Sequence, residues 1–562
     1  MEVKDLYQKL KAAYNIDDSL ESIEKSLNKK AKESILIYDD LKKTMDLDEI
    51  SDVVFVADPT RYERFIKEAI SAESLTYPEK VIPVMLKMRL DALLKLFADE
   101  KVLQTAPIAS ILAAHENALL KIASLSGEKI DKDEKIYCDL AYAGIQAIRF
   151  YLVSVYDEKI SAIASQTVLG AFNALSGLNY KYETEDERLF SFHLYYKHQR
   201  EAIVKALNMK KELKDYTVFS IEEDYKEIAQ IVKGYKGIEL EDFVFANGGS
   251  GCMIRSRDQW NETEVGKAVN KMPLVSIDKV CDEGGLKGKK LGGKRGTLDG
   301  LKVLDLTHIV AGPVVSRVLA ENGADVLFVR RGEYAYQEEL LGELDGWMGK
   351  RKIELDFNKK EDLDRVKELI KQADVIVYSF SNSALDKFGL SKEEMRKLNP
   401  DVIFSHEVCF SKEQWVNRLG WAPLAEDITG VSMRNGENGK LKNLNGVPLD
   451  YVPGMLLALG TLQAIAKSLE NGGGYEVFTS LTRGALYLHE CTDYIEKNVD
   501  SVKDSDRIIN KAPEFEQWNS MCSRIKDTAI GDVGIPGPAA VNRNLINVFE
   551  NGRFTENNKD WR

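Results

Sequence analysis

A strand–helix–strand pattern in residues 301–331 constrains the fold of this chain more than any other stretch. The apolar run 301–306 is followed by a Gly-Pro turn and then by apolar residues at helical spacing, and an Asn-Gly pair ends that helix. A second apolar run follows and ends in two arginines. This order predicts the opening βαβ unit of a parallel α/β sheet.

The polar residues that follow these two apolar runs indicate where a ligand would bind. Parallel sheets bind ligands beyond the carboxyl ends of their strands. Here those ends carry residues 308–312 and then Arg330 and Arg331. A helix N-terminus and two cations favour an anionic ligand. A G-x-G-x-x-G motif does not follow the first strand, which argues against an unrelated dinucleotide-binding site.

Charge and cysteine usage exclude several classes of function. The net charge is −13, which argues against nucleic acid as a partner. Six scattered cysteines without a C-x-x-C pair indicate reduced thiols and an intracellular, cytoplasmic setting, with an organelle not excluded, and they give no metal site. Neither a secretory signal nor a membrane-spanning apolar run is evident, so no membrane partner is expected.

The periodicity of the chain predicts five regions. Helical patterns dominate the first part, and strands alternate with helices from residue 301 onward. The predicted regions are 1–130, helical; 131–281, a small α+β domain; 282–300, a Gly/Lys linker; 301–500, a parallel α/β domain; and 501–562, a C-terminal extension.

The segment 282–300 is rich in glycine, lysine and arginine. It has two interpretations, a basic clamp for phosphate or a solvated linker. Because Gly- and Lys-rich segments are flexible and hold too few apolar residues for a core, the linker is favoured.

The stretch DLTHIVAGPVVSRVLAENGADVLFV resembles the start of class III CoA-transferases, the CaiB/BaiF family. In that family a "D-L-(T/S)-x-x-x-A-G-P" turn precedes "L-A-(D)-x-G-A-D-V-I-K-V-E". Residues 185–275 resemble the family's small domain more loosely, with R-S-R-D-Q-W at 255–260 in place of "(R/T)-x-x-E-W". The resemblance covers about half of the chain, and the small-domain segment precedes the sheet, the reverse of the family order.

The resemblance implies a fold and an activity. The fold is α/β, with a Rossmann-like parallel sheet domain of the CoA-transferase family III type and a largely helical N-terminal half that contains a small α+β domain. The ligand would be coenzyme A or an acyl-CoA. The protein would transfer CoA between carboxylic acids, or act as a racemase or isomerase at the α-carbon of an acyl-CoA. A homodimer and an intramolecular pseudo-dimer both remain open.

Family motifs assign candidate CoA contacts one by one. Four features of the family have counterparts here: the turn after the first strand, the arginine after the second strand, a Gly-Lys-Arg that resembles "R-G-K-R", and a basic residue in "x-L-(D/E)-(R/K)-x-G". The family's "N-F-R-P-G" is not kept, since residues 379–383 read S-F-S-N-S. The predicted contacts are His308, Ile309, Val310, Gly312, Arg331, Lys350 and Lys387.

The family's nucleophilic aspartate is missing. In "G-(Y/F)-D-x-x-x-Q-A-x-(S/T)-G" the aspartate position is Ala422, and alanine cannot form an acyl anhydride. Glu426 and Asp427 are the candidate replacements, but acidic residues are also ordinary in a first helical turn. A catalytically inactive CoA-binding or scaffold relative is therefore the alternative.

Titratable side chains also occur at two other places in this region. His406 and Glu407 lie next to each other on a predicted strand, so regular structure cannot direct both at one substrate. Asp450 begins a long apolar segment, and its predicted role is an N-cap.

Overall fold

The computed structural model describes most of the chain. The described residues are 3–13, 17–69, 90, 93–94, 101–152, 154–155, 181–194, 197–209, 221–330, 345–444, 446–503, 505–528, 531–545 and 561.

Helices dominate the described residues up to 152, but two strands lie among them. Strand β1 falls in the region predicted to be entirely helical. Its run of Val and Phe is too short for periodicity to distinguish a strand from a buried helix. The elements are α1 Val3–Ala13, α2 Leu20–Thr44, β1 Val53–Val56, α3 Pro59–Ala69, α4 Thr105–Leu125, β2 Ile136–Asp139, α5 Leu140–Gln146 and α6 Arg149–Leu152.

The next region alternates short strands and helices. Its strands β4, β5 and β6 form one antiparallel sheet. The elements are β3 Ser154–Val155, β4 Lys181–Glu183, β5 Leu189–Phe192, α7 Lys197–Ala206, α8 Ile221–Val232, α9 Gly237–Ala246, β6 Gly251–Met253, α10 Arg257–Glu262, α11 Glu264–Lys271 and β7 Ser276–Lys279.

From residue 302 strands and helices alternate as predicted. The helix that begins after residue 391 is capped, because the Ser391 side chain accepts a hydrogen bond from the Glu394 backbone. The elements are β8 Lys302–Leu306, α12 Ala311–Glu321, β9 Asp325–Arg330, β10 Arg351–Glu354, α13 Lys360–Gln372, β11 Val375–Tyr378, α14 Lys392–Leu398, β12 Ile403–Val408, α15 Ala422–Thr429, α16 Val431–Asn435, α17 Pro448–Asn471, β13 Tyr475–Ser480 and α18 Leu481–Asn498.

Short strands follow to the end of the described chain. They are β14 Ile508–Ile509, β15 Cys522–Thr528, β16 Gly531–Pro536 and β17 Ala540–Val541. Two of them return to the N-terminal region, since β14 pairs with β1 and β17 pairs with β2.

A seven-stranded sheet dominates the molecule, in the order β10-β9-β8-β11-β12-β13-β7. Six strands are parallel, and β7 is antiparallel to β13. The predicted parallel α/β architecture is confirmed. The chain order of the six parallel strands is 3-2-1-4-5-6, which reverses between β8 and β11 and opens a crevice there.

Helices cover both faces of this sheet. Val303 of β8 belongs to a core with α12 and α17, and its neighbour Leu304 belongs to a second core with α13 and α14. Strand alternation therefore sends successive apolar residues into two separate cores.

The segment 282–300 is not a solvated linker, which corrects the prediction. Leu286, Leu291 and Leu298 are buried, and the backbone N–H of Leu286 donates to Ser468 of α17 at 2.9 Å. Lys289 pairs with Asp374, just before β11, so this segment lies at the amino ends of the strands. Three leucines separated by Gly and Lys were enough to anchor it.

Helices α4 and α17 are long and apolar enough to cross a membrane by length and composition. Both are largely inside the protein, with 72% and 94% of their most apolar windows buried, and they pack against each other. Helix α17 also covers the sheet, so both serve as core helices here.

Candidate functional site at the strand-order reversal

A pocket opens at the carboxyl ends of the parallel strands, where the strand order reverses. Its volume is about 720 Å³, including the space open to solvent. Segments that follow β8, β11, β12 and β13 line it, together with the first turn of α17. We call it the switch-point pocket. Its lining residues are 308–311, 379–381, 384, 407–409, 416, 418–421, 450 and 481.

The turn after β8 forms one wall of the pocket. The predicted contacts His308, Ile309 and Val310 are half-buried and line it. The His308 ring stacks on Phe380 with centroids 4.6 Å apart, and its Nδ1 lies 3.1 Å from Ser379 Oγ. These contacts connect the ends of β8 and β11 across the crevice.

Two residues set the backbone of this turn. Ile309 has φ of 71°, a left-handed conformation that costs a β-branched residue on the order of 1–3 kcal/mol. Gly312 packs against the strand ends, and a Cβ there would lie 2.8 Å from the Cβ atoms of Thr307 and Ser379. Gly312 is therefore required for close packing.

Lys350 does not contact the pocket, contrary to the prediction. It is completely buried, and its Nζ donates to Asp305 Oδ2 at 2.8 Å, Ser316 Oγ at 2.7 Å and the Pro313 carbonyl at 2.9 Å. Burial lowers the pKa of Lys350, and Asp305 opposes that shift. Its role is to hold α12 on β8, because all its donors are used beneath the turn.

The other two predicted cations are not in the pocket lining. Lys387 is exposed and lies over the ring of its neighbour Phe388 at 4.8 Å. Arg331 lies outside the described residues. These two assignments remain predictions.

Arg418 lines the pocket and was not predicted. Its guanidinium lies 4.0 Å from the Trp415 ring centroid and 4.5 Å from that of Phe245, and it pairs with Asp242. The sequence signal was its position in the loop just before the G-W-A motif. It brings a cation to the pocket, whereas the family's arginine position after β11 is Ser381.

Ala422 begins helix α15 next to the pocket. It is only 3% exposed, while its predecessors Gly420 and Trp421 line the cavity. Trp421 stacks on His193, with ring centroids 4.6 Å apart. The helix N-terminus that would carry the family's nucleophile therefore carries a methyl group.

Glu426 and Asp427, the predicted catalytic replacements, are not among the pocket-lining residues. Glu426 Oε2 accepts hydrogen bonds from Asn443 Nδ2 at 2.7 Å and from the Leu444 backbone at 2.9 Å. Asp427 forms a buried ion pair with Lys181. Since both carboxylates have structural partners, their geometry argues against catalysis.

Glu407 and Asp450 line the pocket instead. Burial raises the pKa of Glu407 to about 8, and the nearby Asp450 adds to this shift. Burial raises the pKa of Asp450 to about 7. Asp450 lies in the first turn of α17 but is not its N-cap, a position occupied by Val447, which corrects that prediction.

His406 and Glu407 point in opposite directions, as strand alternation predicted. His406 lies among aromatic rings on the other face of β12, with its Nε2 3.3 Å from the Phe380 carbonyl. Burial lowers the pKa of His406 to about 4, so it is neutral at pH 7.

Among the residues that the structure describes, groups of three or more His, Cys, Asp or Glu side chains able to hold a metal ion do not occur.

Comparison with known proteins finds similarity over the sheet region. Residues 298–517 match the model of CoA-transferase family III. An acyl-CoA transferase of Gibberella moniliformis is 29% identical over 319 residues, covering 54% of this chain and 54% of that protein. A succinyl-CoA:mesaconate CoA-transferase of Haloarcula hispanica is 32% identical over 227 residues, covering 35% and 55%. The chain spans about half the length of these curated relatives.

Solved structures that are similar to part of this chain include a CaiB/BaiF family protein from Brucella suis. It is 22% identical, covers 42% of this chain and 64% of that chain, and has a TM-score of 0.31.

Proposed function

We propose that this chain, residues 298–517 of which belong to CoA-transferase family III, binds a CoA thioester in the switch-point pocket. The observation that carries the proposal is the position of this pocket at the carboxyl ends of β8, β11 and β12, within the family-matching region. The proposed reaction either transfers CoA between carboxylic acids or acts at the α-carbon of the acyl group. Ligand sites of this fold class lie at the same point of the sheet.

The chemistry of the pocket supports an anionic, partly apolar ligand. Arg418 supplies a cation at the wall, and the N-terminus of α12 opens beside it at Val310 and Ala311. Phe380 and Trp421 supply apolar surface. Together they give the pocket the mixture of apolar surface and a few polar groups that is typical of small-molecule sites.

Calorimetric titration of the full chain with CoA and acetyl-CoA tests the binding. We expect Arg418→Met to weaken CoA binding roughly 10- to 150-fold, since a charge-assisted contact to phosphate contributes about 1.5–3 kcal/mol. Lys360→Met, an exposed cation on α13, is the matched control and should bind as wild type does. Absence of heat at millimolar CoA in wild type would refute the proposal.

A second candidate function is CoA binding without acyl transfer. Ala422 favours it, because a methyl group stands where the family's nucleophilic carboxylate would be. Incubation with an acyl-CoA and hydroxylamine separates the two, since only a transferase forms an enzyme-bound acyl anhydride or thioester that hydroxylamine traps. Acyl trapping that appears only in Ala422→Asp would support the second candidate.

We place this function inside the cell. The six cysteines are scattered through the chain, and all are free thiols in the structure. Reduced thiols are typical of intracellular proteins.

A further inference from the structure

Two carboxyl groups from different elements converge in the switch-point pocket. Glu407 comes from the end of β12, and Asp450 comes from the first turn of α17. Ser405, two residues before Glu407, has its Oγ 2.8 Å from Thr461 Oγ1 of α17. This face of β12 is therefore turned toward α17, and Glu407 lies on the same face.

Glu407 is only 6% exposed, and it lines the cavity together with Asp450, which is half-buried. The Glu426 carboxylate, by contrast, accepts two hydrogen bonds, and Asp427 pairs with Lys181. Removal from water disfavours the charged form of a carboxyl group, and Glu407 opens onto the cavity.

The surroundings set the charge of the pair. His308 and Arg418 face the same cavity from other elements, and Cys409 follows on β12. Burial raises the pKa of the Cys409 thiol, and Glu407 and Asp450 add to the shift, so this thiol stays neutral. The N-terminal turn of α17 favours an anion at Asp450. The pair therefore holds about one proton near neutral pH, with Glu407 as the acid and Asp450 as the base.

We propose that Glu407 and Asp450 are catalytic residues that exchange a proton with the α-carbon of the bound acyl-CoA. This rests on the proposed function, because it requires a CoA thioester in the same pocket. It assigns the chemistry to α-carbon proton transfer and not to acyl transfer, which fits the alanine at position 422.

The reaction balances without a further reactant. The Asp450 carboxylate takes the α-proton, the C–H electron pair forms the enolate double bond, and the carbonyl π pair moves to the thioester oxygen. The Glu407 carboxylic acid then returns a proton to the α-carbon, and the carbonyl reforms while the C–S bond stays intact. Backbone N–H groups at the N-terminus of α12 favour the developing oxyanion. Proton exchange of the pair with solvent restores the starting state.

Deuterium incorporation tests this proposal. The full chain is incubated with acetyl-CoA or 2-methylpropanoyl-CoA in deuterated buffer, and the mass of the acyl group is followed. We expect wild type to introduce deuterium at the α-carbon, and Glu407→Gln and Asp450→Asn each to slow this at least 100-fold. Glu116→Gln is the matched control, because Glu116 is also buried with its pKa raised to about 8 but lies on α4 outside the pocket. This control should exchange as wild type does.

Acyl-CoA binding is measured in parallel, so that failure of the proposed proton transfer can be distinguished from failure of the proposed CoA binding. Acyl-CoA binding by wild type without α-deuteration would overturn the carboxyl pair and leave CoA binding intact, whereas absence of binding would overturn both. Unchanged exchange in both variants, or a hydroxylamine-trapped acyl group on Glu407, would also overturn it. If Glu407→Gln fails to fold, Glu407→Asp replaces it in the test, because this variant keeps a carboxyl group at position 407. Glu407→Asp should then retain part of the α-carbon deuterium exchange, whereas Asp450→Asn should lose it.

Discussion

Lys350 donates hydrogen bonds to three groups beneath the turn after β8. Asp305 accepts from Lys350, from the Ser316 hydroxyl at 2.6 Å and from the Thr307 hydroxyl at 2.5 Å. The whole network is buried, so each member satisfies another that has lost its water. The walls of the pocket therefore depend on a charge pair that does not line the pocket.

Lys350→Met should destabilise the protein strongly. Removal of one partner leaves Asp305 as an uncompensated buried charge, which costs about 3–5 kcal/mol. Lys360→Met, with a side chain 89% exposed, should cost under about 0.5 kcal/mol. Urea denaturation measures both, and Lys350→Met/Asp305→Asn should recover part of the loss. Equal stabilities of the two single variants would contradict this role of Lys350.

Glu116 should make folding stability depend on pH. Burial raises its folded-state pKa to about 8, so stability is complete below the unfolded pKa of about 4.3 and is lost as pH rises toward 8. Glu116→Gln should therefore gain on the order of 2–3 kcal/mol relative to wild type between pH 5 and pH 8. Denaturation at both pH values measures this gain. The difference between the exposed variant Glu262→Gln and wild type should stay constant, and a constant difference for Glu116→Gln would refute the prediction.

The sequence predicted part of the candidate site. His308, Ile309 and Val310, the predicted CoA contacts, line the pocket, because a motif next to a strand end fixes their location, and their contact with CoA stays a prediction. It could not show that Lys350 points beneath the turn, since a side chain's direction depends on the register of β10 against β9. Nor could it bring Glu407 and Asp450 together, because they meet only through the packing of α17 on β12.

Helix α12 approaches its neighbours closely because two glycines remove side chains from the contact. A Cβ at Gly312 would meet the ends of β8 and β11, and a Cβ at Gly454 of α17 would lie 2.6 Å from the Ala311 carbonyl oxygen. The start of α12 is thus fixed from two sides, and with it the wall of the pocket.

Gly312→Ala should shift the start of α12. The added methyl group meets carbon atoms of two strand ends, and overpacking of this kind costs about 1–3 kcal/mol. It should also weaken CoA binding, because the turn at 308–310 must move with the helix. Gly234→Ala is the control, since the nearest atom to its Cβ is the Ile231 carbonyl oxygen at 3.4 Å. Thermal denaturation and CoA titration that fail to distinguish the two variants would contradict this account.

The sequence predicts helices and strands most accurately where a periodic pattern of apolar residues is long. The alternation of strands and helices predicted from residue 301 onward is present, for example in helix α13 at Lys360–Gln372 and strand β11 at Val375–Tyr378. The sequence failed where pairing partners lie far away. Strand β1 is fixed by β14, roughly 450 residues later, and local periodicity contains no trace of that pairing.

One core joins the N-terminal helices to the sheet. The largest core cluster contains residues from Ile23 to Leu545, and it includes α4, α17 and one face of the seven-stranded sheet. Polar contacts also join the N-terminal helices to α17. His115 Nε2 lies 2.8 Å from the Met455 carbonyl oxygen, and Gln463 donates to the Met45 carbonyl at 2.9 Å.

The family-matching region should not fold by itself. A fragment of residues 298–517 would expose the face of α17 that α4 covers, and it would lack β7 at the sheet edge. We expect such a fragment to be insoluble or to lack a cooperative thermal transition, whereas the full chain unfolds cooperatively. Circular dichroism melting of the two proteins measures this difference. A fragment with a sharp transition would show that the N-terminal region is dispensable for folding.

The packing of α4 on α17 also sets an order of events during synthesis. About 300 residues separate the two helices. At about 5–20 residues per second, α4 leaves the ribosome roughly 15–60 s before its partner exists. During that interval the apolar surface of α4 that α17 later covers is exposed, and the newly made N-terminal half is open to aggregation until α17 arrives.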